Sequence, residues 1–220
     1  MFETIKKVID FILHIDVHLL EIVNNYGIAT YIILFLVVFC ETGLVVTPFL
    51  PGDSLFFAAG ALCASSGLNL FVTIAVCLAG AIIGNTVNYE IGKRLGPAIF
   101  KNGNRFIKKE HIEKTQEFYL KHGTKAIVLS RFLPIFRTFV PFIAGIANMN
   151  PAKHFLYNVI GAILWVLTFV LAGYFFGLTP IVKENFSLVI IGILVVTILP
   201  GIFAFLKSKF SSKKEEESTI

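Results

Sequence analysis

Four long apolar stretches dominate the chain, at residues 27–40, 70–91, 154–177 and 186–206, and the last three each match the roughly 20 residues that cross a hydrocarbon core as a helix. The first is shorter, about 20 Å as a helix against a core of roughly 30 Å. It runs into a proline-broken segment, ETGLVVTPFLPGDS, at residues 41–54. Ahead of it, Ile5, Ile9, Ile12, Leu19 and Val23 recur at helical spacing opposite Lys6, Asp10, His14, His18 and Glu21. This pattern predicts an amphipathic helix over residues 1–26 lying in a membrane interface, with a frayed polar extension as the alternative. No continuous apolar core with a small-residue cleavage site precedes it, so the segment is expected to be retained.

Composition decides what surrounds these helices. With 56% hydrophobic and 15% charged residues in 220, the chain has too little polar surface to coat a soluble globule. The expected class is an all-α polytopic membrane protein. The formal charge of +5 does not point to nucleic acid, because nine of the nineteen Lys and Arg fall between Lys93 and Lys125, where a cytoplasmic loop explains them. That loop, residues 93–125, is expected to carry a surface helix ended by Gly123. Cys40, Cys63 and Cys77 lie in apolar stretches without metal-ligand spacing and read as small buried hydrophobes, so neither metal nor cofactor is expected. The tail, residues 207–220, is short, polar and expected to lie in the cytoplasm.

Placing both basic segments inside leaves an even number of crossings between them. The spans at 154–177 and 186–206 supply two, so the apolar segment about 126–150 must enter and return as a re-entrant hairpin. Lys6 and Lys7 hold the N-terminus inside, which leaves one crossing before residue 69 and makes about 42–66 a second hairpin, dipping in from the opposite face. The reading is one membrane domain over 1–210, with repeats at 27–92 and 126–178 and a C-terminal span at 186–206. Two opposed hairpins, each followed by a glycine-rich span, outline an inverted repeat. Gly84, Asn85, Tyr89 and Gly92 in the first span echo Gly161, Trp165, Tyr174 and Gly177 in the second, although small residues also serve helix packing alone.

The hairpins carry opposite charge: Glu41 and Asp53 in the first, Arg131 and Arg137 in the second. Each ionised residue at a helix centre costs about 2.5–3.5 kcal/mol on insertion scales, so the four are expected to face one another or water. Pro48, Pro51 and Pro134 lack amide protons and, with Gly52, shape the hairpins, leaving helix ends tolerated at membrane depth only around a protein-lined cavity. The expectation is a polar chamber near mid-membrane lined by Glu41, Asp53, Arg131 and Arg137.

The motifs E-x6-P-x2-P-G-D in the first half and R-x2-P-x2-R-T in the second, with FILHIDVHL and YNVIGAILWVL, resemble the DedA family of bacterial inner-membrane proteins. They resemble more distantly the VTT-domain lipid scramblases of eukaryotes, the superfamily of SNARE-associated Golgi proteins. The resemblance covers nearly the whole chain. It implies a fold with two opposed re-entrant hairpins and a flippase-like role in moving lipids or lipid carriers, undecaprenyl phosphate or phosphatidylethanolamine, in dependence on the proton gradient. It also implies an inner-membrane protein with both termini cytoplasmic, whose functional charges match Glu41, Asp53, Arg131 and Arg137.

That role fits the chemistry. Arginine offers a planar fork of donors to phosphate oxygens, which makes Arg131 and Arg137 the substrate-binding candidates. Glu41 and Asp53 compete with the phosphate for those forks, so proton uptake by a carboxylate would free an arginine, which makes them the proton-coupling candidates. A fixed ion-pair clamp holding the hairpins together is the plain alternative. The partners implied are membrane lipids and protons, with a second copy of the chain a further candidate. A small-cation or drug antiporter is the second function considered, though it has no evident need of two embedded arginines. An enzyme is not expected. Ser130 and Arg131 begin the S-R-x5-H-x3-D pattern of membrane lipid phosphatases, but Arg137 and Pro141 stand where its His and Asp belong. His154 reads as an interfacial residue at the mouth of a span.

Overall fold

In the computed structural model the chain is described for residues 27–44, 52–65, 68–102 and 123–180, and for scattered positions between 182 and 196. The predicted interfacial helix, Pro48 and Pro51, residues 103–122 of the basic loop, most of the predicted C-terminal span, the tail and both termini lie outside the described residues. Among the described residues the regular elements are α-helices: α1 (Ala29–Gly43), α2 (Gly52–Ser65), α3 (Leu70–Asn102), α4 (Lys125–Ser130), α5 (Pro134–Ile146) and α6 (Pro151–Phe176). Two of them, α3 and α6, are long and apolar enough to cross a membrane.

The sequence starts both long helices in the same way. Asn69 Oδ1 accepts from the amides of Phe71 and Val72 at 2.9 and 3.1 Å, and Asn150 Oδ1 from those of Ala152 and Lys153 at 3.0 and 3.2 Å. Pro151 then occupies the first helical turn, where no amide proton is needed. Apolar side chains such as Phe71, Ile83, Phe155, Leu156 and Leu164 point outward, while Glu41, Asp53, Arg131, Arg137, Asn85, Asn88 and Asn158 are enclosed. Such an arrangement suits a lipid solvent, in which buried polar groups must satisfy one another.

Helix directions follow from the contacts. Along α1 and α3, Tyr31 OH accepts from the Asn69 amide at 2.9 Å, Val38 meets Gly80, and Gly43 meets Gly84, so the two helices run parallel. This differs from the predicted course, in which residues 27–41 begin at the face opposite residue 69. Gly43, Gly80 and Gly84 let the backbones approach closely and lay α1 along α3 from the same end. The described helices on either side of the proline segment are α1 and α2. By contrast α3 and α6 run antiparallel, since Ile82 meets Asn158 and Tyr89 meets His154.

The short helices α2 and α5 each pack along the long helix of the other half. Gly60 of α2 lies against the backbone of Val170 and Tyr174, and Gly173 of α6 against the Phe57 carbonyl. In the same manner Gly145 of α5 lies against Tyr89 and Lys93, and Gly92 of α3 against the Phe142 carbonyl. Tyr89, Gly92 and Lys93 match Val170, Gly173 and Tyr174 at one constant sequence offset, which also relates Gly80 to Gly161 and the caps Asn69 to Asn150. The packing thus pairs Gly92 with Gly173 and Gly80 with Gly161, not with Gly177 and not through Gly84 as the sequence echo suggests.

A methyl group at Gly173 or Gly92 would meet a carbonyl oxygen of the facing helix. Gly173→Ala and Gly92→Ala are each expected to cost about 1–3 kcal/mol in thermal denaturation in detergent. Gly192→Ala, which adds a methyl in open space, should cost nothing comparable. Parental stability of both interface variants would refute the close crossing.

Candidate functional site

Three helix ends and one inter-helix turn converge at the centre. Glu41 lies in the last turn of α1, Asp53 in the first turn of α2, Arg137 in the first turn of α5, and Arg131 just after α4. All four are buried. Asp53 suits the positive end of a helix, whereas Arg137 opposes its helix dipole and is held there by its partners.

Those partners are both carboxylates. Arg137 Nη2 lies 2.7 Å from Glu41 Oε1, and Nη1 donates to Asp53 Oδ1 at 3.2 Å. One guanidinium thus joins residues on either side of the proline segment. Glu41 is 0% exposed and gains no well-aligned hydrogen bond at either oxygen, so close charge contact with Arg137 holds it. Gly52 sits directly against this carboxylate, where any side chain would collide with it. The glycine that opens α2 is thus fixed by the acid that closes α1. Pro134 takes the first turn of α5, with Leu133 extended before it. Pro141 within the same helix has no amide to offer the Arg137 carbonyl.

Arg131 does not join an ion pair among the described residues. Its Nη2 donates to the Ala81 carbonyl at 3.2 Å and to Asn158 Oδ1. Asn158 Nδ2 in turn donates to the Ile82 carbonyl at 3.0 Å and to Thr86 Oγ1 at 3.1 Å. Arg131 Nε and Arg137 Nε are buried without an acceptor.

Trp165 links these groups. Its indole Nε1 donates to Asp53 Oδ1 at 2.6 Å. Its ring centroid lies 5.2 Å from the Arg137 guanidinium carbon and 5.6 Å from that of Arg131, both within cation–π range. Phe56 meets the ring edge-on at 4.6 Å. Asn88 braces the surroundings, its Nδ2 donating to the Thr42 and Thr138 carbonyls at 3.1 and 2.9 Å and so tying α1 to α5 through α3.

Sequence reasoning named the four charges but passed over Asn88, Asn158 and the bridging role of Trp165. The available signal was amides inside apolar spans, Asn85 and Asn88 in α3 and Asn158 in α6, with Asn158 and Trp165 two turns apart on one face of α6. His154, expected at an interface, is instead buried and stacked on Tyr89 at 4.2 Å, because the Tyr89 hydroxyl is tied to the Met149 carbonyl and holds the ring over it. Among the described residues no His, Cys, Asp and Glu cluster has the makings of a metal site. An open groove of about 560 Å³ is lined by apolar residues of α1 and α3, including Tyr31, Phe35, Phe71 and Ala79, and by none of the four charges.

The chain is similar in sequence to known membrane proteins. The VTT domain matches residues 50–175, a span that holds Asp53, Arg131, Arg137 and Trp165. Over 210 residues the chain is 54% identical to Protein DedA of Escherichia coli strain K12, covering 94% of this chain and 96% of that one. It is 40% identical over 169 residues to an uncharacterized membrane protein of Mycobacterium leprae, 76% of each chain. It is 34% identical over 152 residues to the inner membrane protein YqjA of Escherichia coli strain K12, 69% of each. No solved structure matches.

Proposed function

Because the chain belongs to the DedA family of VTT-domain membrane proteins, we propose that it moves a phosphorylated lipid, undecaprenyl phosphate or a phospholipid, across the bacterial inner membrane with proton coupling. The observation that carries this reading is the Arg137 fork shared by Glu41 and Asp53, buried where α1, α2 and α5 meet. Protonation of either carboxylate removes one of its two charged partners and loosens the clamp that holds α1, α2 and α5 around the site.

The reciprocal packing supports an inverted repeat beneath this site. In that reading α1 with α2, and α4 with α5, are opposed re-entrant hairpins whose tips meet between α3 and α6. Val38 meets Gly80 as Val128 meets Gly161, and three residues further on stand Glu41 and Arg131, equivalent places with opposite charge. Lys93 and Arg94 at the far end of α3 favour the cytoplasm for that end. A non-enzymatic role is supported by Ser130, whose hydroxyl donates to the Ile127 carbonyl of its own helix, and by His154, held in its stack on Tyr89.

The test is reconstitution in liposomes with labelled undecaprenyl phosphate or phosphatidylethanolamine under imposed pH gradients. The parental protein is expected to move one of them faster than protein-free liposomes do, with a rate that varies over about pH 5–8. Glu41→Gln and Asp53→Asn mimic the protonated acids and are expected to flatten that profile. If neither lipid moves, the transport reading falls. If both amide variants keep the parental profile, the carboxylates are not the coupling groups.

A further inference from the structure

We propose that the two arginines have different tasks, and that Arg131, held by Asn158, is the group that takes the lipid phosphate, while Arg137 is the pin between the acids. This assignment rests on the transport reading above and goes beyond it by naming a binding group and the residue that positions it. The geometry separates the two guanidinium groups plainly. Arg137 has a carboxylate on each terminal nitrogen, so an incoming anion would have to displace two charged partners. Arg131 has only neutral partners, the Ala81 carbonyl and the Asn158 amide oxygen, and its buried Nε has none.

An enclosed, uncompensated guanidinium is costly, and the Trp165 ring 5.6 Å away offsets only part of that cost. A phosphate offsets the remainder. A phosphate oxygen brings a negative charge that the neutral amide and backbone carbonyl lack, so it competes well with them for the Arg131 guanidinium. Against two carboxylates at Arg137 it has no such advantage.

Asn158 explains how the positive charge is preserved. Its amide nitrogen is fixed by Ile82 and Thr86, which turns its oxygen toward Arg131. The side chain therefore orients the guanidinium without neutralising it, as an aspartate there would. Access is local as well. Residues 131–133 form a turn held by amide bonds to the third preceding carbonyl, of 3.0–3.3 Å, and the flanking Leu129 and Phe132 face outward. Arg131, itself buried, thus sits in a turn between two outward-facing side chains.

The test measures the thermal shift of the detergent-solubilised full chain with dodecyl phosphate, dodecanol or inorganic phosphate. Dodecyl phosphate is expected to stabilise the parental protein, dodecanol not, and inorganic phosphate only weakly. Arg131→Gln keeps a polar amide in the site and breaks no ion pair, so it should fold and bind dodecyl phosphate on the order of tenfold more weakly or worse. Asn158→Asp should weaken binding similarly, while the neutral Asn158→Ser should retain more of it. A purely structural Asn158 predicts instead that binding falls only in step with each variant's loss of stability, since Asp lacks the amide donor that holds the Ile82 carbonyl. Parental binding by Arg131→Gln or Asn158→Asp overturns the assignment and leaves the transport reading standing. A parental protein that dodecyl phosphate stabilises no more than dodecanol overturns both. Equal stabilisation by inorganic and dodecyl phosphate supports the anion site and overturns its lipid origin.

Discussion

Arg137→Gln is expected to destabilise the protein by about 3–5 kcal/mol, because it leaves two buried carboxylates facing each other without a cation. Glu41 feels the loss most, since Arg137 is its charged neighbour at 2.7 Å and neither of its oxygens has another well-aligned partner. Asp53 keeps the Trp165 indole. The loss should therefore be strongly non-additive. Adding Glu41→Gln and Asp53→Asn to Arg137→Gln removes the stranded charges and should recover most of the stability, whereas independent sites would give a further loss. Thermal denaturation in detergent of the parental, single and triple variants measures this. A single variant of parental stability, or a triple variant that loses more than the single one, would show that the ion pairs do not hold the hairpins together.

The charges were legible in the sequence because their cost in a membrane is high. Glu41, Asp53 and Arg137 had to be compensated, and each other's charge was the nearest remedy, which the structure supplies. Arg131 departs from that logic: its partners are a backbone carbonyl and a neutral amide, and neither leaves a signature in composition. The long helices α3 and α6 were legible from length and hydropathy alone. The direction of α1 was not, because a short apolar segment before a proline break reads equally as the end of a crossing or as the limb of a hairpin. Deciding it needed the contacts at Gly43, Gly80 and Gly84. The common offset between the packing glycines of α3 and α6 was missed for a related reason. Glycines occur in both spans for close packing, and only the facing backbones tell which of them correspond. Asn158 and Trp165 passed unnoticed as site residues because one amide and one indole cost little in an apolar span and matter only through what they touch.

Trp165→Ala is expected to cost about 3–5 kcal/mol, the range for emptying a large buried aromatic site, and to loosen Asp53 and both guanidinium groups at once. Packing and polar roles can be told apart by Trp165→Phe, which keeps an aromatic ring beside Phe56 but has no donor for Asp53. That variant should lose about 2–4 kcal/mol, the worth of a hydrogen bond to a charged group together with part of the cation–π attraction. The decisive comparison is with Asp53→Asn, since the indole bond ends on the carboxylate that Arg137 also uses. If Trp165 positions that carboxylate, the two substitutions remove one shared interaction, and their combination should cost clearly less than their sum. The parental chain has a single Trp, so its fluorescence emission reports this site alone. Asp53→Asn should shift that emission while circular dichroism stays helical. Full additivity in denaturation, with unchanged emission in Asp53→Asn, would reduce Trp165 to a space-filling side chain and leave Asp53 positioned by Arg137 alone.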